Sequence, residues 1–250
     1  MEYVYAVNNA EELQIYQSFT AHIHPRLNEY IDYLRKNLAV HDLPRAIVWT
    51  SAHTATQLIS NIPIPAYTND FRVVITPDIA AWRTIYLKQL DGLTACESTA
   101  EIREYYQNRL NERHVLQILG HELAHHSDLF LEDFSSDLSD GIWFEEGMAE
   151  YISRRYFLTE EEFEAEIHIN RLLVDLLEKR CGGHSLEEFG AATYDGDYAG
   201  IFFQYWSSFL AVNQIVNAHG GDIHAVFQAY HRWNATCSSQ TLCQWFGFET

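Results

Sequence analysis

The sequence predicts an α+β protein in which a small N-terminal sheet with helices is followed by a mostly helical C-terminal part. Two short runs rich in β-branched and aromatic residues, at 46–50 and 71–76, predict strands. After these runs, apolar residues recur mainly at helical spacing, and glycines punctuate the helical segments. We therefore expect an α/β lobe over 1–95 and a helical lobe over 96–250, packed as one compact unit.

The N-terminal lobe should open with a helix. Apolar residues recur at helical spacing over 10–38, and Pro25 should kink or break that helix. The two β-rich runs are flanked by Pro, Asn, Asp or Ser and should share one small sheet. The next segment is ambiguous, and a helix over 79–90 ended by Asp91-Gly92 is the preferred interpretation.

Capping signals predict where the later helices begin and end. Three capping boxes combine a Ser or Thr with a Glu three residues later, which is typical of a helix start. They are Ser98 with Glu101, Thr159 with Glu162, and Ser185 with Glu188. Glycines after apolar periodic segments predict helix ends. They are Gly182-Gly183, Gly190, Gly220-Gly221 and Gly247.

The composition limits which partners the protein can bind and in which cellular compartment we expect it. The 250 residues include 16 Lys and Arg against 35 Asp and Glu, a formal charge of −19, which disfavours nucleic acid and anionic membranes. No leader sequence and no apolar run of membrane-spanning length is visible, so we expect a cytoplasmic protein. The four cysteines lack a Cys-x-x-Cys pairing and should be free thiols, with a Cys237–Cys243 disulfide as the alternative.

One motif carries metal chemistry. His121, Glu122 and His125 form an H-E-x-x-H sequence inside an apolar segment with helical periodicity. Residues four apart on a helix differ by about 40°, so both imidazoles should point to one side and can share one zinc ion. Glu122, next to the first ligand, can reach a metal-bound water without being a ligand itself.

A second motif supplies a carboxylate. The segment 141–151 reads GIWFEEGMAEY, in which a Glu stands directly before a Gly in what should be another helix. A structural zinc site has four protein ligands, whereas two His and one Glu leave the open position that catalysis requires.

Together the two motifs resemble the gluzincin metallopeptidases, with the closest likeness to the peptidase MA-like group and to zinc aminopeptidases. H-E-x-x-H is followed after 20 residues by Glu-Gly-x-Ala-x-Tyr. The resemblance implies a zincin-like fold with a substrate-binding edge strand, an active-site helix and a helical C-terminal lobe. It also implies that Glu146 is the third Zn²⁺ ligand beside His121 and His125, and that Glu145 lies outside the site. Glu150 corresponds to the acidic residue that, in the thermolysin-like branch, orients the first histidine.

Gluzincins usually add a Tyr or His that donates a hydrogen bond to the developing oxyanion. Tyr198 is the candidate, because its segment resembles the start of the Tyr-containing helix of the aminopeptidases, although Gly200 stands one position closer than in their pattern. Tyr194 and Tyr205 are near rivals. The aminopeptidase segment that holds a substrate's free amine, Gly-Ala-Met-Glu-Asn, is absent, so the resemblance does not extend to exopeptidase action.

The predicted activity is that of a zinc metalloprotease, a hydrolase that cleaves peptide bonds in a peptide or protein substrate. A metal-activated water attacks the carbonyl, and Glu122 takes the proton and returns it to the leaving amine. The competing hypotheses are a catalytically inactive gluzincin scaffold that binds a peptide or protein partner, and a zinc hydrolase of non-peptide amides. His126 is rotated about 100° from His125 and is expected to face solvent or pack locally.

Overall fold

The structure is a computed structural model with an α+β fold. It describes residues 1–60, 63–131, 141–178, 185–190, 193–194, 196–236 and 239–248. The chain divides into two compact units. The first unit comprises 1–128 and 152–160, and the second unit comprises 129–151 and 161–250. These limits fall beyond residue 95, and the helix with the H-E-x-x-H motif belongs to the same unit as the sheet.

The first unit contains a four-stranded mixed sheet with the order β1-β2-β4-β3. Its strands are β1 (Glu2–Ala6), β2 (Ala46–Thr50), β3 (Ala66–Thr68) and β4 (Arg72–Ile75). The two predicted runs are strands β2 and β4, and they pair in parallel, as expected for one shared sheet. Strand β1 is parallel to β2, and β3 is an antiparallel edge strand against β4. Neither β1 nor β3 was predicted.

Helix α1 (Ala10–Asn37) connects β1 to β2 and is continuous. A kink or break was predicted at Pro25, and the helix does not break there. Buried side chains lie on both sides of the proline, including Ile23 and Tyr30, so packing holds the two halves in one helix. After β2 comes a short helix α2 (Ala52–Thr54), which continues into a π-helical turn over Ala55–Ile59.

Three further helices complete the part of the first unit that ends at residue 128. They are α3 (Ile79–Lys88), α4 (Glu97–Asn108) and α5 (Glu112–Ala124). Helix α3 begins as predicted and ends two residues earlier than predicted. The capping box predicted at Ser98 is wrong by two residues, because Cys96 is the N-cap of α4 and Thr99 closes the box. Helix α5 packs against α1, β3 and β4.

The described residues of the second unit form helices and their connections, with no strand among them. Helix α6 (Ile142–Phe157) gives residues to both units, and α7 (Glu160–Leu177), α8 (Tyr198–Ala218), α9 (Ile223–Ala235) and α10 (Leu242–Trp245) follow. Helix α7 begins directly after Thr159, as predicted. A helix start at Ser185 was predicted, but only a single 3₁₀ turn forms there, over Leu186–Glu188.

Glycine stops were predicted correctly at two helix ends. Gly220 and Gly221, at φ +67 and +84, follow α8, and Gly247, at φ +83, follows α10. These left-handed conformations favour glycine because it has no Cβ. The predicted stop at Gly182-Gly183 lies outside the described residues.

Two features concern the chain's thiols and membrane contact. Cys96 is exposed and Cys243 is buried, both as free thiols, while Cys181 and Cys237 lie outside the described residues. Within the part of the chain that the structure describes, no helix has both the length and the apolar character needed to span a bilayer.

Candidate metal centre

The two histidines of the H-E-x-x-H motif meet at the C-terminal end of α5. His121 lies in the last turn of the helix, and His125 is its C-cap, still in a right-handed helical conformation with φ −59 and ψ −16. Their Nε2 atoms are 3.0 Å apart, and the two rings meet edge to face with centroids 4.7 Å apart. The prediction that four-residue spacing brings both imidazoles to one side is confirmed.

Glu146 on α6 completes a group of three possible ligands. One ligand atom from each of His121, His125 and Glu146 lies within 4.8 Å of the others, so the group could hold a metal ion. His121 is 5% exposed and Glu146 is 8% exposed, and His125 is half-buried. The three residues are those that the sequence predicted as ligands.

The donor chemistry of this group fits zinc. Two imidazole nitrogens and one carboxylate oxygen are a common set for Zn²⁺ and other borderline divalent cations. Zn–N bonds of about 2.0–2.1 Å at tetrahedral angles place two nitrogens about 3.3 Å apart. The observed 3.0 Å between the Nε2 atoms of His121 and His125 is close to that spacing. The spacing of the two imidazole nitrogens is therefore compatible with their sharing one cation.

Glu122, the predicted base, lies between the two histidines in the sequence. Its side chain is buried, with 7% of the residue's surface exposed. It follows His121 on α5 and is rotated from it by about 100°. It is not a member of the three-residue ligand group. Burial of a carboxylate in a site of low solvent access strengthens its interactions with nearby protons and charges.

Of the three candidate tyrosines, Tyr194 contacts Glu146, and Tyr205 contacts Tyr194. The hydroxyl of Tyr194 donates to Glu146 Oε1 at 3.3 Å, and the hydroxyls of Tyr194 and Tyr205 are 2.9 Å apart. Tyr198 begins α8 and stacks on Phe202, with ring centroids 6.3 Å apart, and burial raises the pKa of its phenol. Its role as oxyanion donor stays a prediction.

Glu150 lies one helical turn after Glu146 on α6 and is half-buried. The separation of four residues puts both carboxylates on the same side of the helix. The role of Glu150 in orienting a histidine stays a prediction.

His126 has a more specific place than the sequence indicated. Its Nε2 lies 2.9 Å from Thr68 Oγ1 on the edge strand β3. Burial, with a smaller contribution from neighbouring His125, lowers the pKa of the His126 imidazole to about 4. His126 is therefore neutral at pH 7 and links the end of α5 to the edge of the sheet. The 58-residue separation from Thr68 left no signal in the sequence.

Glu145 is buried in a hydrogen-bonded cluster of the second unit. Its Oε1 accepts a bond from the backbone N–H of Leu131 and another from the Tyr230 hydroxyl, both at 2.7 Å. Next to this cluster, His231 Nε2 lies 2.8 Å from the carbonyl oxygen of Leu129. Glu145 thus holds the backbone at Leu131, and sequence reasoning did not identify this role.

Gly147, directly after Glu146, allows a close helix contact. A Cβ at this position would lie 2.5 Å from the carbonyl oxygen of Ser208 on α8 and 2.7 Å from Val212 Cγ2. Real Cβ atoms do not approach so closely, so only glycine permits this spacing between α6 and α8. The glycine of the Glu-Gly pair therefore has a packing reason.

Comparison of the chain with protein-family models, with curated proteins and with solved structures finds no match. The function must therefore be inferred from the cluster of His121, His125 and Glu146. Glu122 belongs to the same motif as the two histidines.

Proposed function

We propose that this protein is a zinc-dependent peptide hydrolase of the gluzincin type. His121, His125 and Glu146 would hold the metal, and Glu122 would act as general base. The observation that carries the proposal is that three residues, assigned from two motifs 20 residues apart, contribute ligand atoms within 4.8 Å of one another. Three ligands of these types leave a coordination position open, which distinguishes catalytic from structural zinc sites.

The reaction needs proton transfers that this chain can provide. When bound, zinc would supply Lewis-acid chemistry, polarising the substrate carbonyl and lowering the pKa of water toward about 7. The Glu122 carboxylate takes a proton from the attacking water as its oxygen bonds to the carbonyl carbon. Glu122 then delivers that proton to the amide nitrogen as the carbon–nitrogen bond breaks, so the first products are a carboxylic acid and an amine. The acid then gives its remaining proton to the amine, which leaves a carboxylate and an ammonium group.

The edge strand β3 supports an extended peptide as the substrate. Within the described residues, β3 pairs with β4 on one side only, and an edge strand offers N–H and C=O groups to an incoming strand. Helix α5 packs against β3, and Thr68 on β3 contacts His126, which directly follows the ligand His125. A peptide paired with β3 would therefore run close to the histidines of the first unit.

The test compares wild type with Glu122→Gln, measuring zinc content and turnover of a peptide library on the same samples. We expect about one zinc per chain in both proteins. Wild type should give discrete cleavage products that disappear with a chelator and return with zinc. Glu122→Gln should lose turnover by at least about 10²-fold, because the amide keeps the shape of the side chain but cannot accept a proton.

His121→Ala is the control that should not retain zinc. Wild-type zinc content below about a tenth of an equivalent, unrecovered on adding zinc, would contradict the metal assignment. Fully loaded protein that leaves every peptide intact would favour the inactive scaffold. Full turnover by Glu122→Gln would contradict the role of the base.

A further inference from the structure

Two tyrosine hydroxyls form a chain of hydrogen bonds that ends at the carboxylate of Glu146. The Tyr194 hydroxyl donates to Glu146 Oε1, and the Tyr205 hydroxyl lies 2.9 Å from that of Tyr194. Each phenol carries one proton. Because Tyr194 gives its proton to the carboxylate, Tyr205 must be the donor in the bond between the two phenols. The chain of hydrogen bonds therefore runs from Tyr205 through Tyr194 to Glu146.

Packing within the second unit holds both phenols in place. Phe189 is 2% exposed and contacts both rings, with centroids 5.2 Å from that of Tyr205 and 6.2 Å from that of Tyr194. Tyr205 lies on α8, three residues before Ser208, whose carbonyl meets α6 at Gly147. The close contact between α6 and α8 at Gly147 thus fixes the position of Tyr205 along α8 relative to Glu146 on α6.

We infer that Tyr194 and Tyr205 are positioning residues that hold the third metal ligand, Glu146, in its binding conformation. The inference rests on the proposed metal site. A hydrogen bond from a phenol to a carboxylate is charge-assisted, and a second donor behind it strengthens the first bond by polarising it. Glu146 then needs less ordering when the cation arrives, so affinity rises.

This role differs from donation to an oxyanion. In this arrangement the Tyr194 proton is directed at a metal ligand, whereas an oxyanion donor must direct its proton at the substrate. A positioning pair changes the affinity for the metal in the absence of any substrate. An oxyanion donor changes kcat and leaves the affinity for the metal as it was.

The experiment measures the zinc affinity of the full chain by competition with a chromogenic chelator, without substrate. We expect Tyr194→Phe to weaken zinc binding by about 10- to 100-fold, as is usual when a partner of a metal ligand is removed. Tyr205→Phe should weaken it by about threefold, since Tyr194 still reaches Glu146. The double variant should match Tyr194→Phe, because in the inferred chain the Tyr205 hydroxyl acts on Glu146 through the Tyr194 hydroxyl.

Tyr16→Phe is a matched control. The Tyr16 hydroxyl also donates to a glutamate Oε1 at 3.3 Å, but its acceptor is Glu12, which is no metal ligand. Zinc affinity in this control should stay within about twofold of wild type. Circular dichroism of each variant shows whether it is folded.

Three outcomes would overturn the inference. Folded Tyr194→Phe with wild-type affinity would show that its hydrogen bond does not support the ligand. Should Tyr194→Phe fail to fold, unchanged affinity in folded Tyr205→Phe would have the same meaning. Losses that add up in the double variant would indicate packing in place of a hydrogen-bonded chain. A wild type that binds no zinc would instead overturn the proposed function, and the inference with it.

Discussion

At the scale of single residues, two adjacent carboxylates have different partners. Neighbouring residues on a helix point about 100° apart, so Glu145 and Glu146 cannot face the same group. Glu146 belongs to the ligand group, whereas Glu145 accepts hydrogen bonds from Leu131 and Tyr230. A buried carboxylate is tolerated in each place because it has donors or can meet a cation.

The resemblance between motifs was sufficient to choose Glu146 over Glu145, since it depends on position relative to Gly147. It was not sufficient for the tyrosines. Tyr194 lies 48 residues from Glu146 in sequence, and no periodicity connects a residue before α8 to a residue on α6. The local pattern around Tyr198 was visible in the sequence, while the contact of Tyr194 with Glu146 depends on tertiary packing.

Tyr198→Phe tests the residue that the sequence favoured as oxyanion donor. We expect kcat to fall by about 10²- to 10³-fold, with little change in KM or zinc content, because the donor is needed only in the transition state. Steady-state kinetics at saturating zinc measures this effect.

Full activity in Tyr198→Phe would remove it from the mechanism, because stacking on Phe202 tolerates a missing hydroxyl. A loss of kcat in Tyr205→Phe at saturating zinc would then move the donor role to Tyr205.

At the scale of helices and strands, the sequence was informative where an element is defined by its own residues. Strands β2 and β4 are apolar β-branched runs between turn residues, and both were predicted. Strand β3 has three residues and depends on pairing with β4, so its own composition gave no signal. Likewise, Pro25 is a local signal for a break that the packing of α1 overrides.

The two motifs on helices α5 and α6 were likewise informative only about local geometry. Spacing correctly predicted that His121 and His125 meet on one side of α5, because that geometry is local. The approach of α8 to Gly147 is not local, and no sequence pattern indicated that Ser208 would be the neighbour.

Gly147→Ala tests the close contact between α6 and α8. The added Cβ would meet a backbone oxygen, which cannot move aside as a flexible side chain could. We expect a net loss of up to about 2 kcal/mol in the free energy of unfolding, since overpacking costs about 1–3 kcal/mol and the gain in helix propensity returns about 1 kcal/mol. Urea unfolding followed by circular dichroism measures it.

Gly200→Ala is the matched control, because its Cβ would lie 3.5 Å from Asp197 Oδ1, an ordinary contact, in the first turn of α8. It should be neutral or stabilise the protein by up to about 1 kcal/mol. Equal effects of the two substitutions would show that the approach of α8 to Gly147 is looser than the structure indicates.

At the scale of the whole molecule, the dominant property is negative charge. The formal charge of −19 makes the folded chain repel itself, and any divalent cation will reduce that repulsion to some degree. Stabilisation by a cation is therefore informative only when it depends on particular residues. A site built from imidazole and carboxylate should prefer zinc, whereas screening of surface carboxylates should work equally well with calcium or magnesium.

Zinc loading should raise the thermal midpoint of the whole chain. A ligand that binds only the folded state at 100 times its Kd stabilises it by about 2.7 kcal/mol, or about 5–10 °C for a chain of this size. Scanning calorimetry with zinc and with a chelator should show this shift in wild type and in Tyr16→Phe, and its absence in His121→Ala. Calcium at the same concentration should produce little shift in any of them. An equal rise in His121→Ala, or an equal rise with calcium, would mean that cations act on the general negative charge and that His121 holds no metal.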